Sequence, residues 1–213
     1  SDLKLVCSGS SSIALDMKFR TSLIGRIIEV ELFPLSFCEF LRFRSKSHLI
    51  NLLPEFNIKD KSFKKVSLPE SLYHEFMEYL RIGGYPEVVL AENDDIRKML
   101  FAQFFNLYAK KDLYDIMRLK KEVAFDRFFF MLASTNAKLL NLSEISRELG
   151  ISVKTLKNYL KILEGLFLVK LCYPYAKDYR KELRSMPKVY FTDTGFLNWA
   201  CKTFLSLAPR DMG

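Results

Sequence analysis

Between residues 141 and 191 the apolar positions change period once, and that change predicts a small mixed unit. Ile145 and Leu149 lie four apart, as one stripe of a short helix, and Gly150 directly after them can take the left-handed conformation that turns a chain sharply at a helix end. Val153, Leu156, Leu160 and Leu163 then give the spacing of a second amphipathic helix. Ser143 and Ser152 are the expected N-caps, with Glu144 in a first turn where the helix dipole favours negative charge. Away from its apolar stripe the second helix carries Lys154, Thr155, Lys157, Asn158 and Lys161. Residues 166–173 and 188–191 read as strands around a basic, proline-bounded loop at 174–187. Helix, glycine turn, helix, strand, loop and strand is the order of a winged helix-turn-helix, whose second helix enters the major groove of DNA.

Most of the remaining chain reads as helix. Leu72, Phe76, Tyr79 and Leu80 follow helical spacing, Gly83-Gly84 stops that helix, and Tyr85-Pro86 makes a turn. Further helices are expected near 96–109, 113–118 and 123–135, where Phe-rich runs at helical spacing supply the cores of helical bundles. Residues 42–68 are polar and irregular, a loop between domains or an insertion that contacts nucleic acid. The beginning differs. A strand at 3–7, a serine turn at 8–12, a helix near 13–21, a strand at 27–32 and a helix at 34–41 follow one another, the last with Ser36 as cap and Glu39 at the capping-box position. That order is a fragment of an α/β nucleotide-binding sheet. Its serines can cap the following helix or approach a phosphate.

Charge concentrates where the wing is expected. Residues 137–192 hold eleven Lys and Arg against five Asp and Glu, so +6 of the formal +8 falls there. Such a surface holds phosphates through counterion release; the alternatives are a winged helix used for protein docking, or lysines that form only a solvated surface. With 49% hydrophobic and 27% charged residues the chain has the composition of a soluble globular protein. No apolar run approaches the roughly 20 residues that span a bilayer, and the N-terminus lacks the pattern of a signal peptide, so the cytoplasm is the expected location. Cys7, Cys38, Cys172 and Cys201 form no CxxC pair and His48 and His74 are isolated, which argues against a zinc site or a disulfide framework. The cysteines are expected as small core residues and His74 as a partly buried packing residue.

Five segments in order carry a resemblance. LVCSGSSS at 5–12, LIGRIIEVELFPLSFCEFL at 23–41, RIGGYPEVV at 81–89, YAKKDL at 108–113 and PKVYFTDTGFLN at 187–198 resemble a large prokaryotic group of AAA-superfamily ATPases. In that group a nucleotide-binding domain precedes helices, a winged helix and a C-terminal domain. The resemblance implies a mainly α chain (α+β): residues 1–43 as the end of an AAA-type ATPase core, 44–68 as a loop or insertion, 69–136 as a helical lid or linker, 137–192 as the winged helix, and 193–213 as the start of a truncated domain resembling a restriction-endonuclease fold. It also implies that Ser10 and Ser11 stand at the sensor-1 position, where a small polar side chain watches the γ-phosphate. Arg26 then matches an arginine finger, which stabilises charge on the transferred phosphoryl group across a subunit boundary. Without the resemblance Arg26 reads as a surface ion-pairing residue.

One departure limits the inheritance. ATP hydrolysis on this fold needs a GxxxxGK[ST] loop around the phosphates and an acidic pair for magnesium, and no glycine here is followed by Lys and then Ser or Thr. Both features lie upstream of the sensor strand in the resembled group, so the 213 residues read as a middle fragment. ATP and magnesium are implied for a longer protein; no cofactor or metal ligand is expected in this chain, which is not expected to hydrolyse ATP by itself. Asp193, following a strand and preceding Gly195, invites a nuclease reading, but metal-assisted cleavage needs further carboxylates and a lysine, so a helix cap fits better. The expected nucleic-acid contacts are Lys154, Thr155, Lys157, Asn158 and Lys161 on the helix and Lys177, Arg180, Lys181 and Arg184 on the wing. DNA, the preceding ATPase segment and further copies of the chain are the expected partners, and a membrane is not. The rival reading is a non-enzymatic winged helix for protein interaction or self-assembly.

Overall fold

The computed structural model describes residues 6, 8, 28, 30–54, 69–109, 122–175 and 185–203. These residues are mainly helical, with one two-stranded sheet. The chain divides into two compact units, 34–100 with 193–213, and 1–33 with 101–192.

In the first of these units, α1 (Phe37–Phe43) starts from the expected capping box: the Ser36 side chain accepts from the Glu39 N–H, and the Glu39 carboxylate accepts from the Ser36 N–H at 2.8 Å. A 3₁₀ turn at Ser47–Leu52 follows and buries Leu49 with Leu41 and Leu72, so part of the polar 42–68 stretch joins the core. The helix α2 (Glu70–Ile82) ends at Gly83, whose φ of 74° suits glycine. Pro86 does more than turn the chain. Its fixed φ makes it the first residue of a short helix, α3 (Pro86–Leu90), and α4 (Asp94–Phe104) comes next. The last helix, α8 (Thr194–Ala200), packs against α2.

In the second unit, a π-helical turn (Phe105–Ala109) continues α4, and α5 (Glu122–Ser134) packs on α6 (Leu142–Leu149). Gly150 takes the left-handed conformation expected of it, φ 67° and ψ 29°, and α7 (Val153–Gly165) begins from a Ser152 cap onto the Thr155 N–H. The cap of α6 is Asn141 and not Ser143. Its side-chain oxygen accepts from both Ser143 and Glu144 N–H groups at 3.2 Å, which starts the helix earlier than a serine cap would. Strand β1 (Val169–Cys172) pairs antiparallel with β2 (Lys188–Phe191), Val169 opposite Phe191 and Cys172 opposite Lys188. It is shorter than the predicted run from 166, because Leu166 closes α7 and Phe167 adopts a left-handed φ of 56°.

The aromatic runs do form this unit's core: Phe105 packs on Phe129 at 4.4 Å between ring centres, and Phe125 meets Tyr159 edge-on at 5.2 Å. Tyr159 is fully buried, and its hydroxyl has no hydrogen-bond partner among the described residues. Because an unpaired buried hydroxyl loses its water without compensation, Tyr159→Phe is expected to stabilise the unit by about 1 kcal/mol in urea unfolding. A loss of stability instead would show that the hydroxyl is satisfied in solution.

Ile28, Val30, Glu31 and Leu32 lie in no strand, and Ile28, Val30 and Leu32 are 82–92% exposed; an apolar run becomes a strand only where a neighbour takes its backbone groups, and no partner occurs among the described residues. His74 lies on the outer face of α2, its side chain 72% exposed and 3.8 Å from Glu70 one turn earlier. Cys172 is exposed, since strand alternation points it outward, while Cys38 and Cys201 are half-buried. Cys7 lies outside the described residues. No helix among the described residues is long and apolar enough to cross a membrane.

Candidate nucleic-acid interface

The two faces of α7 separate cleanly. Leu156, Tyr159, Leu160, Ile162 and Leu163 are buried, whereas Lys154, Lys157 and Lys161 are exposed and Thr155 and Asn158 half-buried. At about 100° per residue, Lys154, Lys157, Asn158 and Lys161 share one stripe roughly a quarter of the helix circumference wide. Burying the opposite stripe leaves the lysines no carboxylate partner among the described residues, so their charge faces solvent. The hairpin adds cations: Lys170 and Lys188 are exposed on the outward face of β1 and β2. Arg147 on α6 is exposed as well. Lys177, Arg180, Lys181 and Arg184 lie outside the described residues, as do Ser10, Ser11 and Arg26. No group of acidic, His and Cys side chains suited to a metal occurs among the described residues.

A second constellation is built around Asp193, which caps α8 by accepting from the Phe196 N–H at 2.7 Å, as its position after a strand suggests. Unforeseen is its other oxygen, which accepts from the Gly84 N–H at 2.7 Å, 109 residues away. Space there is made by absent side chains. A Cβ on Gly83 would stand 2.2 Å from the Asp193 carboxylate, one on Gly84 2.2 Å from the Leu35 carbonyl oxygen, and one on Gly195 2.0 Å from the Ile82 carbonyl oxygen. Asn198 completes the joint by donating to the carbonyls of Leu80 and Arg81 at 2.9 and 3.0 Å.

Burial pushes the Asp193 carboxyl up to about 6, while the N–H groups of Gly84, Phe196 and Gly195 pull the other way. Burial, and then the Asp193 charge, also raises Tyr79 to about 12. The folded Asp193 holds its proton more tightly than the unfolded one, so its contribution to stability is fully present below about pH 4 and is lost as pH rises through about 6. Urea midpoints at pH 4 and pH 7 test the sign: the advantage of the native protein over Asp193→Asn is expected to be larger at pH 4. A larger advantage at pH 7 would mean that the amide donors outweigh burial.

Residues 73–207 match a domain of unknown function, DUF8612. The chain belongs to that family. Residues 1–41 match an AAA domain, which relates that segment to AAA-type ATPases. Uncharacterized proteins are similar over most of the chain: MJ1544 of Methanocaldococcus jannaschii at 25% identity over 91% of the chain, and one from Haemophilus influenzae at 28% over 90%. A Mycobacterium tuberculosis protein, Rv2008c, also uncharacterized, is 25% identical over 54% of the chain. The chain spans only 42% and 44% of the length of the first two relatives. No solved structure matches.

Both constellations fall within the DUF8612 match, which contains α7, the hairpin, the Gly83-Gly84 turn and Asp193. Phe37 and Phe40 of the AAA match pack on Tyr79 of the DUF8612 match, and the backbones meet as well. Leu35, inside residues 1–41, donates its N–H to the Gly84 carbonyl at 2.8 Å, and its own carbonyl accepts from the Tyr79 hydroxyl at 2.9 Å.

Proposed function

We propose that the chain is part of an AAA-like ATPase in which α6, α7 and the β1–β2 pair form a winged helix that binds duplex DNA. The observation that carries this reading is the exposed lysine stripe of α7, opposite a fully packed face and preceded by a glycine turn. Exposed cations on the second helix of such a pair meet phosphates flanking the major groove, and Thr155 and Asn158 can reach base edges. In the wing, Lys177, Arg180, Lys181 and Arg184 extend the contact along the backbone. Ser10, Ser11 and Arg26 serve nucleotide in the longer protein, which would bind ATP with magnesium in the cytoplasm and assemble so that the arginine acts across a boundary. With no phosphate-wrapping loop in these residues, no hydrolytic step is assigned to this chain.

Fluorescence anisotropy with a labelled blunt duplex tests the reading. Binding is expected at low salt and should weaken linearly in log–log form as salt rises. A chain that is folded by circular dichroism yet binds no duplex at low salt would sink the proposal.

A further inference from the structure

We infer that the outward face of the β1–β2 pair contacts unpaired bases, so that the preferred ligand is duplex DNA carrying a single-stranded tail. The duplex part rests on the reading above; the tail rests on separate residues.

Strand alternation sends Val169 and Val189 into the core, 3% and 0% exposed. Leu171 and Phe191 share that face, and the alternate positions face outward, Lys170 directly opposite Tyr190 and Cys172 opposite Lys188. Tyr173 follows at the end of β1. Tyr190 and Tyr173 are 36% and 44% exposed. Neither makes a ring contact or side-chain hydrogen bond among the described residues, while the adjacent Phe191 packs on Phe129 at 5.6 Å between ring centres. The outward face therefore holds the Tyr190 ring with Lys170 opposite it and Lys188 two residues away, and a second exposed ring, Tyr173, follows directly after β1.

Charge selects the occupant. Residues 165–175 and 185–192 contain no Asp or Glu, so the described hairpin offers only cations to whatever covers it, and a polyanion is the complementary partner. The rings then choose between forms of that polyanion. Bases inside a duplex are already stacked and present only their edges, whereas unpaired bases expose a π-face that a tyrosine can stack on, and lysines hold the neighbouring phosphates.

The experiment compares two probes on the 213-residue chain by anisotropy: a blunt duplex, and the same duplex extended by a thymidine tail. The tail is expected to tighten binding about tenfold, in line with the stacking of one or two bases. Replacing both rings, Tyr173→Leu with Tyr190→Leu, should equalise the two probes and leave blunt-duplex affinity unchanged. The paired Tyr→Phe changes should keep the preference, because they preserve the rings and remove only the hydroxyls. Equal binding of both probes by the native chain overturns the inference and leaves the duplex reading standing, as does a tail preference that survives in the leucine variant. Binding of neither probe removes both. Concentration-dependent self-association that the leucine variant abolishes would assign the face to a second copy and overturn the inference too.

Discussion

Gly195→Ala is expected to bring the unit built from 34–100 and 193–213 close to unfolding. The new methyl group would stand 2.0 Å from the Ile82 carbonyl oxygen and 2.3 Å from its carbon, atoms of the backbone that no rotamer change can move aside. Relief requires α8 to lift from the end of α2. That movement stretches the Asp193 bond to Gly84 and the two Asn198 bonds to Leu80 and Arg81. Overpacking alone costs about 1–3 kcal/mol, and each loosened hydrogen bond adds about 1 kcal/mol, more where it leaves a buried charge poorly paired. Their sum, on the order of 4–6 kcal/mol, compares with total stabilities of about 5–15 kcal/mol. Gly150→Ala is the control, because Gly150 has a positive φ, 67°, and nothing within 4 Å of its Cβ position. Its cost is the left-handed strain alone, about 1–2 kcal/mol. Thermal unfolding of the two variants checks the argument: equal losses would show that the close crossing of α2 and α8 is not what Gly195 protects.

The contrast between those glycines also marks what the sequence can express. Gly150 was legible because its job is local: it stands one residue after a helix and supplies a left-handed turn. The Ser36–Glu39 capping box and the Ser152 cap were legible for the same reason, since donor and acceptor lie three residues apart. Asn141 in place of Ser143 is a contest between two good caps, decided by a side chain that accepts from two N–H groups at once. Gly195 and Asp193 could be read only by halves. A cap for the following helix is visible in Asp193, but its bond to Gly84 depends on where α2 ends, and no spacing rule connects positions 84 and 193. The lysine stripe of α7 was fully readable, because burial of the opposite stripe dictates it. Tyr190 cannot be singled out from spacing alone, since its outward position depends on register, and a shift of one residue would exchange the two faces. Cys172 shows the same dependence: small and apolar by type, it is exposed by alternation.

Removing the charge of that stripe is expected to have the largest effect on binding. In the variant combining Lys154→Gln, Lys157→Gln and Lys161→Gln, the buried stripe from Leu156 to Leu163 is untouched, and glutamine suits a helix nearly as well as lysine, so folding should be unchanged. Each lysine that neutralises a phosphate contributes about 0.9 to the slope of log K against log salt. Three of them should flatten the slope by about 2.7 and weaken duplex binding on the order of 100-fold or more near 0.1 M salt. The slope carries more information than the affinity. A lost base contact would lower affinity without changing the salt response, whereas lost phosphate contacts change both. A variant with native slope and native affinity would show that the α7 lysines are only a solvated surface. In that event any salt-sensitive binding would come from other cations, such as exposed Arg147 on α6 and Lys170 and Lys188 on the hairpin, or Lys177, Arg180, Lys181 and Arg184 of the wing.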